Sequence, residues 1–231
     1  MLKIPRNCIC PKNQKERMKL DEKENYEMDL FQERMKSDLE KIKIHAIKPI
    51  VPKGIFPISQ KNSAFSDLPY GKISTVSNAG CGPLAMEYAF RVNGFNVDFE
   101  ELVNEVSKKE YRGYIYDEAG NITDGCGTEY SLFDNTAERI YDVYQILKKL
   151  QESVITILIQ NSVYNRDKNK KGNHFISLIG IDEEQNGIFM DGNLIIENTK
   201  QAMVRKTFKE MALGFRGAWA WNRKEIEKYL N

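Results

Sequence analysis

The sequence predicts a mixed α+β fold in which helices come first and antiparallel strands follow. Segments with apolar residues at helical spacing fill the first part of the chain, and short runs of strand-forming residues bounded by turns come later. Helices followed by a block of antiparallel strands are typical of an α+β domain. The 231 residues, of which 41% are hydrophobic, suffice for one good core, or for a core with an appendage.

A highly charged segment near the N-terminus predicts a long helix, from about residue 12 to residue 44. Its apolar residues recur in steps of three and four and form one narrow stripe. The members of this stripe are Met28, Phe31, Met35, Leu39 and Ile42. Three prolines between residues 47 and 57 then predict an extended linker. We therefore divide the chain into an N-terminal helical extension with its linker, residues 1–54, and a main domain, residues 55–231.

The main domain is predicted to begin with helices and to continue with strands. The predicted helices cover residues 83–93, 98–108, 129–141, 143–151, 207–213 and 223–230. The predicted strands cover residues 154–159, 174–181, 187–190 and 216–221. Asp98, with Glu101 three residues later, predicts an N-terminal cap for the second helix of this set. Turn residues between the second and third strands predict that these two form an antiparallel hairpin.

One cysteine, Cys81, stands where a loop of small residues becomes a helix, in the sequence NAGCGP at residues 78–83. Pro83 fits the first helical turn, where a missing N–H costs nothing. A thiol at this position lies at the positive end of the helix dipole, which favours the nucleophilic thiolate. The flanking glycines leave the sulfur uncovered and allow a substrate backbone to approach. Cys81 is therefore a candidate nucleophile. The alternative is a small buried cysteine that packs at a helix start.

The chain has only two histidines, which leaves little choice for a base that would activate this thiol. His45 directly precedes the predicted linker, whereas His174 opens the predicted strand at residues 174–181. A histidine at the mouth of a buried strand is held rigidly, as a general base within hydrogen-bond reach of its nucleophile must be. His174 is therefore the preferred partner. The alternative is a strand-end histidine that only caps a backbone group.

Asp191 ends the next predicted strand, in the sequence DGN at residues 191–193. In an antiparallel hairpin the end of the second strand lies near the start of the first, so Asp191 is expected close to His174. There it could accept the second ring N–H of His174 and fix its tautomer, which is the orienting role in a triad. Asp-Gly-Asn is also an ordinary turn sequence. The chain order Cys, His, Asp, with each residue at the end of an element, favours the functional interpretation.

Four stretches of the main domain resemble the papain-like cysteine peptidase superfamily, and within it the double-glycine leader (bacteriocin-processing) peptidases. The stretches are ISQK at 58–61 with DLPYG at 67–71, GCGP at 80–83, GCGT at 125–128 with LF at 132–133, and NHF at 173–175 with MD at 190–191. The resemblance covers about residues 55–222. Its most specific parts are the motifs around Cys81 and His174.

The resemblance implies a papain-like fold, with a helical half that carries the nucleophile packed on an antiparallel sheet, and a bacterial cysteine peptidase without a cofactor. Cys81, deprotonated by His174, would attack a peptide or isopeptide bond of a peptide or protein substrate and form a thioester. Asp191 would orient His174. A thiol acyltransferase or deamidase with the same triad, a catalytically inactive peptide-binding relative, and a partner-binding protein remain the alternatives.

The family also uses a glutamine side chain, together with the N–H of the nucleophile, as an oxyanion hole. In its transporter-linked members this glutamine stands six positions before the cysteine, where this chain has Thr75. The resemblance to the soluble relatives therefore assigns the role to Gln60. The alternative donors are Thr75, Ser77 and Asn78.

The N-terminal helix resembles, in its placement, the helical prosegment that covers the cleft in papain-like zymogens. This suggests the hypothesis that the helix contacts the main domain and limits access to Cys81. The alternative is a helix that simply supports the fold. The basic run at residues 166–171 is expected to be a solvated loop, or, less simply, a rim that favours acidic substrates.

Charge and cysteine usage exclude several classes of function. The net charge is +1, from 34 basic and 33 acidic residues, so no overall field favours nucleic acid. Cys8, Cys10 and Cys126 form no persuasive disulfide or zinc pattern with Cys81. No apolar run has the length of a membrane span or the form of a signal peptide. The chain as it stands is expected to be cytoplasmic, or secreted if it has been trimmed.

Overall fold

The computed structural model describes residues 14–50, 58–71, 74–108, 112–116, 122–128, 130–194 and 203–230. The strands in these ranges are β1 (Arg112–Tyr116), β2 (Ile122–Thr128), β3 (Glu138–Ile140), β4 (Ile155–Gln160), β5 (Asn173–Ile181), β6 (Asn186–Met190), β7 (Met203–Thr207) and β8 (Phe215–Ala220). The helices are α1 (Gln14–Lys41), α2 (Val76–Ala79), α3 (Cys81–Val92), α4 (Phe99–Val106), α5 (Tyr130–Thr136), α6 (Val143–Lys149), α7 (Asn161–Tyr164), α8 (Phe208–Ala212) and α9 (Arg223–Leu230).

Six of the strands form one sheet with the order β3-β8-β4-β5-β6-β7, in which every neighbouring pair is antiparallel. Strands β1 and β2 form a separate antiparallel hairpin. The predicted hairpin of the second and third strands is confirmed as β5 and β6, in which Ser177 pairs with Met190. Helices together with an antiparallel sheet confirm the predicted α+β class.

Helices cover both faces of the six-stranded sheet, because residues of β4 alternate between two hydrophobic clusters. Ile155, Ile157 and Ile159 point to one cluster, while Leu158 points to the other, which also contains most of the buried residues of α3. We call these the α1 face and the α3 face, after the longest helix on each. Cys81 packs at the margin of the α3 face.

The N-terminal helix packs on the α1 face, where it contacts β8, α6 and α8. Phe31, Met35 and Leu39 of the predicted stripe are buried there among the isoleucines of β4, and Asp29 pairs with Arg216 of β8 at 2.6 Å. These three residues lie on the face of the sheet opposite Cys81, which differs from the hypothesis of a helix that covers the cleft. Met28, nearer the N-terminus of α1, packs instead against the cluster of the α3 face. A narrow apolar stripe predicts that a helix is buried but does not specify the surface that buries it.

The predicted linker is extended as far as the structure describes it, up to residue 50. Ile47 exchanges two backbone hydrogen bonds with Ile181 of β5, at 2.8 and 2.9 Å, and the Ile50 N–H donates to Ile179. Gly180 permits this close crossing, because a Cβ atom there would lie 2.8 Å from the Ile47 carbonyl oxygen. The segment after α1 is therefore attached to the C-terminal end of β5, beyond the residues that pair with β4, and residues 51–57 lie outside the described part.

Some predicted elements differ from those observed. The helix predicted at residues 129–141 ends at Thr136, and Glu138–Ile140 instead pairs with β8. Strand β7, helix α7 and the β1–β2 hairpin were not predicted. The cap of α4 is as predicted, since the Glu101 N–H donates to the Asp98 carboxylate at 3.0 Å.

Candidate active site

Cys81 is the first residue of α3 and is separated from the short helix α2 by a single residue. Gly80 joins the two helices, and a Cβ atom at this position would lie 2.6 Å from the Val76 carbonyl oxygen. Only glycine therefore permits the sharp bend that presents Cys81 at the helix start. Cys81 is partly exposed as a residue, and its thiol is not in a disulfide. Its place at the N-terminus of a twelve-residue helix favours the thiolate.

His174 is the second residue of β5, and its side chain is almost fully buried. Helix α3 packs against β5 and brings Cys81 close enough to His174 for the imidazole to lower the pKa of the Cys81 thiol. The Phe175 backbone N–H lowers the same pKa. The start of α3 and the start of β5 thus meet at one end of the sheet's central strands.

Asp191 follows β6 and is buried, and its carboxylate is fully engaged. Its Oδ1 atom lies 2.8 Å from Nε2 of His174 and also accepts the Asn193 backbone N–H at 2.8 Å. Its Oδ2 atom accepts the hydroxyl of Tyr164 at 2.6 Å. Because Nε2 is bound by Asp191, Nδ1 is the ring nitrogen of His174 that remains for the Cys81 sulfur.

The electrostatics of the three groups favour a charged pair. Desolvation acts against the shift, but the hydrogen bond and the charge of His174 hold the pKa of the Cys81 thiol below its ordinary value. Burial likewise opposes protonation of His174, yet its hydrogen bonds with Asp191 and Cys81 raise the pKa of the imidazole. Burial would also raise the pKa of Asp191, but the hydrogen bond and the charge of His174, together with the hydrogen bonds from Tyr164 and the Asn193 N–H, outweigh it, so this pKa is lowered. The three groups therefore favour their charged forms, a thiolate, an imidazolium and a carboxylate.

Gln60 is buried beside the turn that leads to Cys81. Its backbone N–H donates to the Gly192 carbonyl at 2.6 Å, and its side-chain Nε2 donates to the Ser77 carbonyl of α2 at 3.1 Å. Ser59, the residue before Gln60, also contacts the loop that follows Asp191, since its hydroxyl donates to the Leu194 carbonyl at 2.6 Å. These contacts connect the loop of Gln60 both to the turn before Cys81 and to the loop that follows Asp191.

The structure therefore brings Cys81, His174 and Asp191 into one array, in which His174 and Asp191 are hydrogen-bonded and Cys81 lies beside His174, and it places Gln60 on the flank of the turn before Cys81. His45 is exposed on the segment after α1 and is far from His174 in the sequence. The remaining candidates of the sequence analysis, Cys8, Cys10 and the side chain of Cys126, lie outside the described residues.

Sequence reasoning missed Tyr164, the last residue of α7, which contacts Asp191. The chain has 11 tyrosines, and no motif distinguishes this one. The only signal was its position in the connection between β4 and β5, the strand that contains His174. Such proximity depends on how the connection folds back, which the local pattern does not specify.

Two negative findings apply to the described part of the chain. No group of three or more histidine, cysteine, aspartate or glutamate side chains there is arranged to hold a metal ion. Within the same ranges, no helix combines the length and the apolar character needed to cross a bilayer.

Comparison with family models identifies the family of the chain, within the papain-like cysteine peptidase superfamily. A family model described as the Peptidase_C39 like family matches residues 54–223, and the chain therefore belongs to that family. Membership of this family suggests cysteine peptidase activity. The match begins after α1, so the N-terminal helix lies outside the region that defines the family.

Among solved structures, the chain is similar to a crystal structure from Bacillus anthracis that carries a provisional assignment as a C39-like peptidase. The sequence identity is 14%, the TM-score is 0.47, and the match covers 76% of this chain and 98% of the other. No curated protein sequence matches the chain significantly.

Proposed function

We propose that this protein is a cysteine peptidase that hydrolyses a peptide or isopeptide bond through Cys81, His174 and Asp191. The observation that carries the proposal is the buried hydrogen bond by which Asp191 holds Nε2 of His174 and leaves Nδ1 for the thiol of the adjacent Cys81. Covalent acyl transfer of this kind requires a nucleophile, a base beside it and a group that orients the base.

The first half of the reaction breaks the scissile C–N bond. The Cys81 thiolate attacks the carbonyl carbon, and the carbonyl oxygen takes up the negative charge. His174, protonated on Nδ1, then donates this proton to the leaving amine as the C–N bond breaks, which leaves a thioester on Cys81. Asp191 holds the imidazole in the orientation and tautomer that this transfer needs.

The second half regenerates the enzyme. Neutral His174 takes a proton from a water molecule, whose oxygen attacks the thioester carbonyl. The C–S bond then breaks and releases a carboxylic acid together with the thiolate, which again pairs with the imidazolium. Each proton taken by His174 is thus matched by one that it gave in the first half, and no external oxidant or reductant is required.

The proposed oxyanion hole consists of the Cys81 backbone N–H and the side-chain amide of Gln60. The Nε2 atom of Gln60 has two N–H groups, and the Ser77 carbonyl accepts one of them at 3.1 Å. The second N–H is then available for the oxygen of the attacked carbonyl. Donors fixed in this way stabilise the charge that develops during attack.

The test is incubation of the full-length protein with a mixed peptide library in water enriched in oxygen-18, followed by mass spectrometry. The proposal predicts new carboxyl termini that carry the heavy oxygen, and their loss in the Cys81→Ala and His174→Ala variants. His45→Ala is the matched control, since this histidine is exposed and should leave cleavage unchanged.

Other products would point to other chemistry. Acyl exchange with an added amine, in place of a cut chain, would indicate a thiol acyltransferase, and release of ammonia from glutamine side chains would indicate a deamidase. Peptide binding without any product, together with an unreactive Cys81, would overturn the enzymatic proposal.

A further inference from the structure

We propose that Tyr164 is a positioning residue of this site, whose hydroxyl fixes the Asp191 carboxylate so that Oδ1 faces His174. The inference rests on the proposed function, because it adds a fourth side chain to the Cys81, His174 and Asp191 array. It concerns the carboxylate end of that array, which no motif of the sequence marked.

The contact between Tyr164 and Asp191 is short and shielded from water. The hydroxyl donates to Oδ2 at 2.6 Å, and both residues are at most 6% exposed. Oδ1 accepts from His174 and from the Asn193 backbone N–H at 2.8 Å each. The two carboxylate oxygens therefore have separate donors, and among the residues that the structure describes Tyr164 is the only donor to Oδ2. A carboxylate anchored on both oxygens cannot rotate away from the imidazole.

The fold gives Tyr164 this position through the connection between β4 and β5. Helix α7 follows β4 directly, and the connection closes where the Asn161 N–H donates to the Gly172 carbonyl at 3.0 Å. This closure returns the chain to β5, so the rings of Tyr164 and His174 lie 5.6 Å apart between centroids. One connection therefore positions both the base and the side chain that anchors its orienting carboxylate.

A cation lies over the ring of the same tyrosine. The Lys206 ammonium lies 4.2 Å from the centroid of the Tyr164 ring and also donates to the Tyr164 backbone carbonyl. A cation over the ring withdraws electron density from the phenol and so strengthens its hydroxyl as a donor. Lys206 is on β7, the strand next to β6, so the sheet itself holds the cation near Asp191.

Removal of the Tyr164 hydroxyl should shift the acid limb of the pH profile of Cys81 reactivity. The hydrogen bond from Tyr164 favours the charged form of Asp191, so without it the carboxylate binds a proton more easily. A protonated Asp191 no longer stabilises the imidazolium that pairs with the Cys81 thiolate, and a less firmly held imidazole also interacts more weakly with that thiolate. Both effects move formation of the reactive thiolate to higher pH.

The experiment measures the rate of Cys81 alkylation by iodoacetamide as a function of pH, with the modified peptide quantified by mass spectrometry. Tyr164→Phe keeps the ring, its packing and its contact with Lys206, and removes only the donor. We expect the acid limb of the profile to shift upward by about 0.5 to 1 pH unit, which corresponds to one net hydrogen bond. Tyr144→Phe, an exposed tyrosine of α6, is the matched control and should not shift it.

A double mutant separates positioning from a general effect on the fold. In the Asp191→Asn background the Tyr164→Phe change should produce no further shift of the limb, because its effect passes through the carboxylate. An equal shift in both backgrounds would overturn the proposal. If Tyr164→Phe does not fold, 3-fluorotyrosine at position 164, a stronger donor of similar shape, should move the limb to lower pH, and an unmoved limb would overturn the proposal.

The outcomes also distinguish this inference from the proposed function. If the wild-type thiol titrates as an ordinary cysteine, the proposed function fails and Tyr164 has no array to position. If the wild-type thiol is activated and Tyr164→Phe has the same acid limb, the function stands and only the role of Tyr164 is rejected.

Discussion

Nε2 of His174 lies 2.8 Å from Oδ1 of Asp191 in a buried environment, although the two residues are 17 positions apart in the chain. The β5–β6 hairpin produces this contact, because its two strands pair so that the residue after β6 returns to the start of β5. The same contact fixes which ring nitrogen faces Cys81. The orientation of the base is therefore a property of the sheet rather than of a flexible loop.

The Asp191→Asn variant should lower peptide cleavage without abolishing it. The amide preserves the shape of the carboxylate but carries no charge, so it orients His174 less firmly and stabilises the imidazolium less. We expect the loss to fall within the range of about 10²- to 10⁴-fold that general acid–base catalysis contributes. The measurement is kcat/KM on a peptide identified in the library.

The matched control for this change is Asp182→Asn. Asp182 caps the turn of the same hairpin by accepting the Asn186 N–H at 2.8 Å, at the end away from His174. The Asp182→Asn variant should leave kcat/KM unchanged. An equal loss in both variants would mean that the effect of Asp191 comes from the stability of the hairpin.

The Gln60→Ala variant should reduce turnover and leave the thiol as reactive as before. A missing oxyanion donor raises the barrier of the acyl-transfer step by an amount that corresponds to about 10²- to 10³-fold in kcat. Alkylation by iodoacetamide forms no oxyanion, so its rate should not change. Gln151→Ala, an exposed glutamine after α6, serves as control. A fall in alkylation that matches the fall in turnover would assign Gln60 to the structure of the nucleophile turn instead.

Glu87 should make the stability of the protein depend on pH. This carboxylate of α3 is fully buried, and desolvation, acting against the neighbouring Arg91 guanidinium, raises its pKa to about 7. A raised pKa in the folded state means that the stabilisation is complete below the unfolded pKa of about 4.5 and is lost as the pH rises through about 7. The expected loss is about 3 kcal/mol.

Urea denaturation of the wild type and of Glu87→Gln, each in acid and in mildly alkaline buffer, measures this effect. The variant cannot ionise, so the difference in unfolding free energy between the two proteins should change in its favour as the pH rises. A difference that stays constant with pH would contradict a buried carboxyl that titrates near neutrality.

Met35→Ala should destabilise the protein and leave Cys81 no more accessible. Met35 of α1 is completely buried on the α1 face, and truncation of a buried methionine costs about 2 to 5 kcal/mol. The exposed Met18 of the same helix is the matched control. Faster alkylation of Cys81 in the folded Met35→Ala protein would restore the hypothesis that the helix blocks the site.

The catalytic candidates could be predicted from the sequence because each lies in a short local pattern. Glycines around Cys81 and the helix formers after it mark a loop that becomes a helix, and strand residues after His174 mark the mouth of a strand. The relation of His174 to Asp191 followed from a single hairpin. These inferences required only the local chain and one turn.

The features that escaped prediction depend on pairing between distant segments. Glu138–Ile140 continues a helical pattern in sequence but becomes a strand because β8, about 80 residues later, offers it an edge. The side of the sheet that α1 covers is likewise decided by the isoleucines of β4. Tyr164 reaches Asp191 only through the way in which the β4–β5 connection closes.

The most direct test of the account is the pH dependence of Cys81 alkylation in the wild type and in His174→Ala. Since the pKa of the thiol is lowered by its pairing with His174, the wild-type rate should already be close to its maximum well below the ordinary thiol pKa of about 8.5. The His174→Ala variant should shift the profile toward that ordinary value. A wild-type profile centred near about 8.5 and unchanged by His174→Ala would contradict the account.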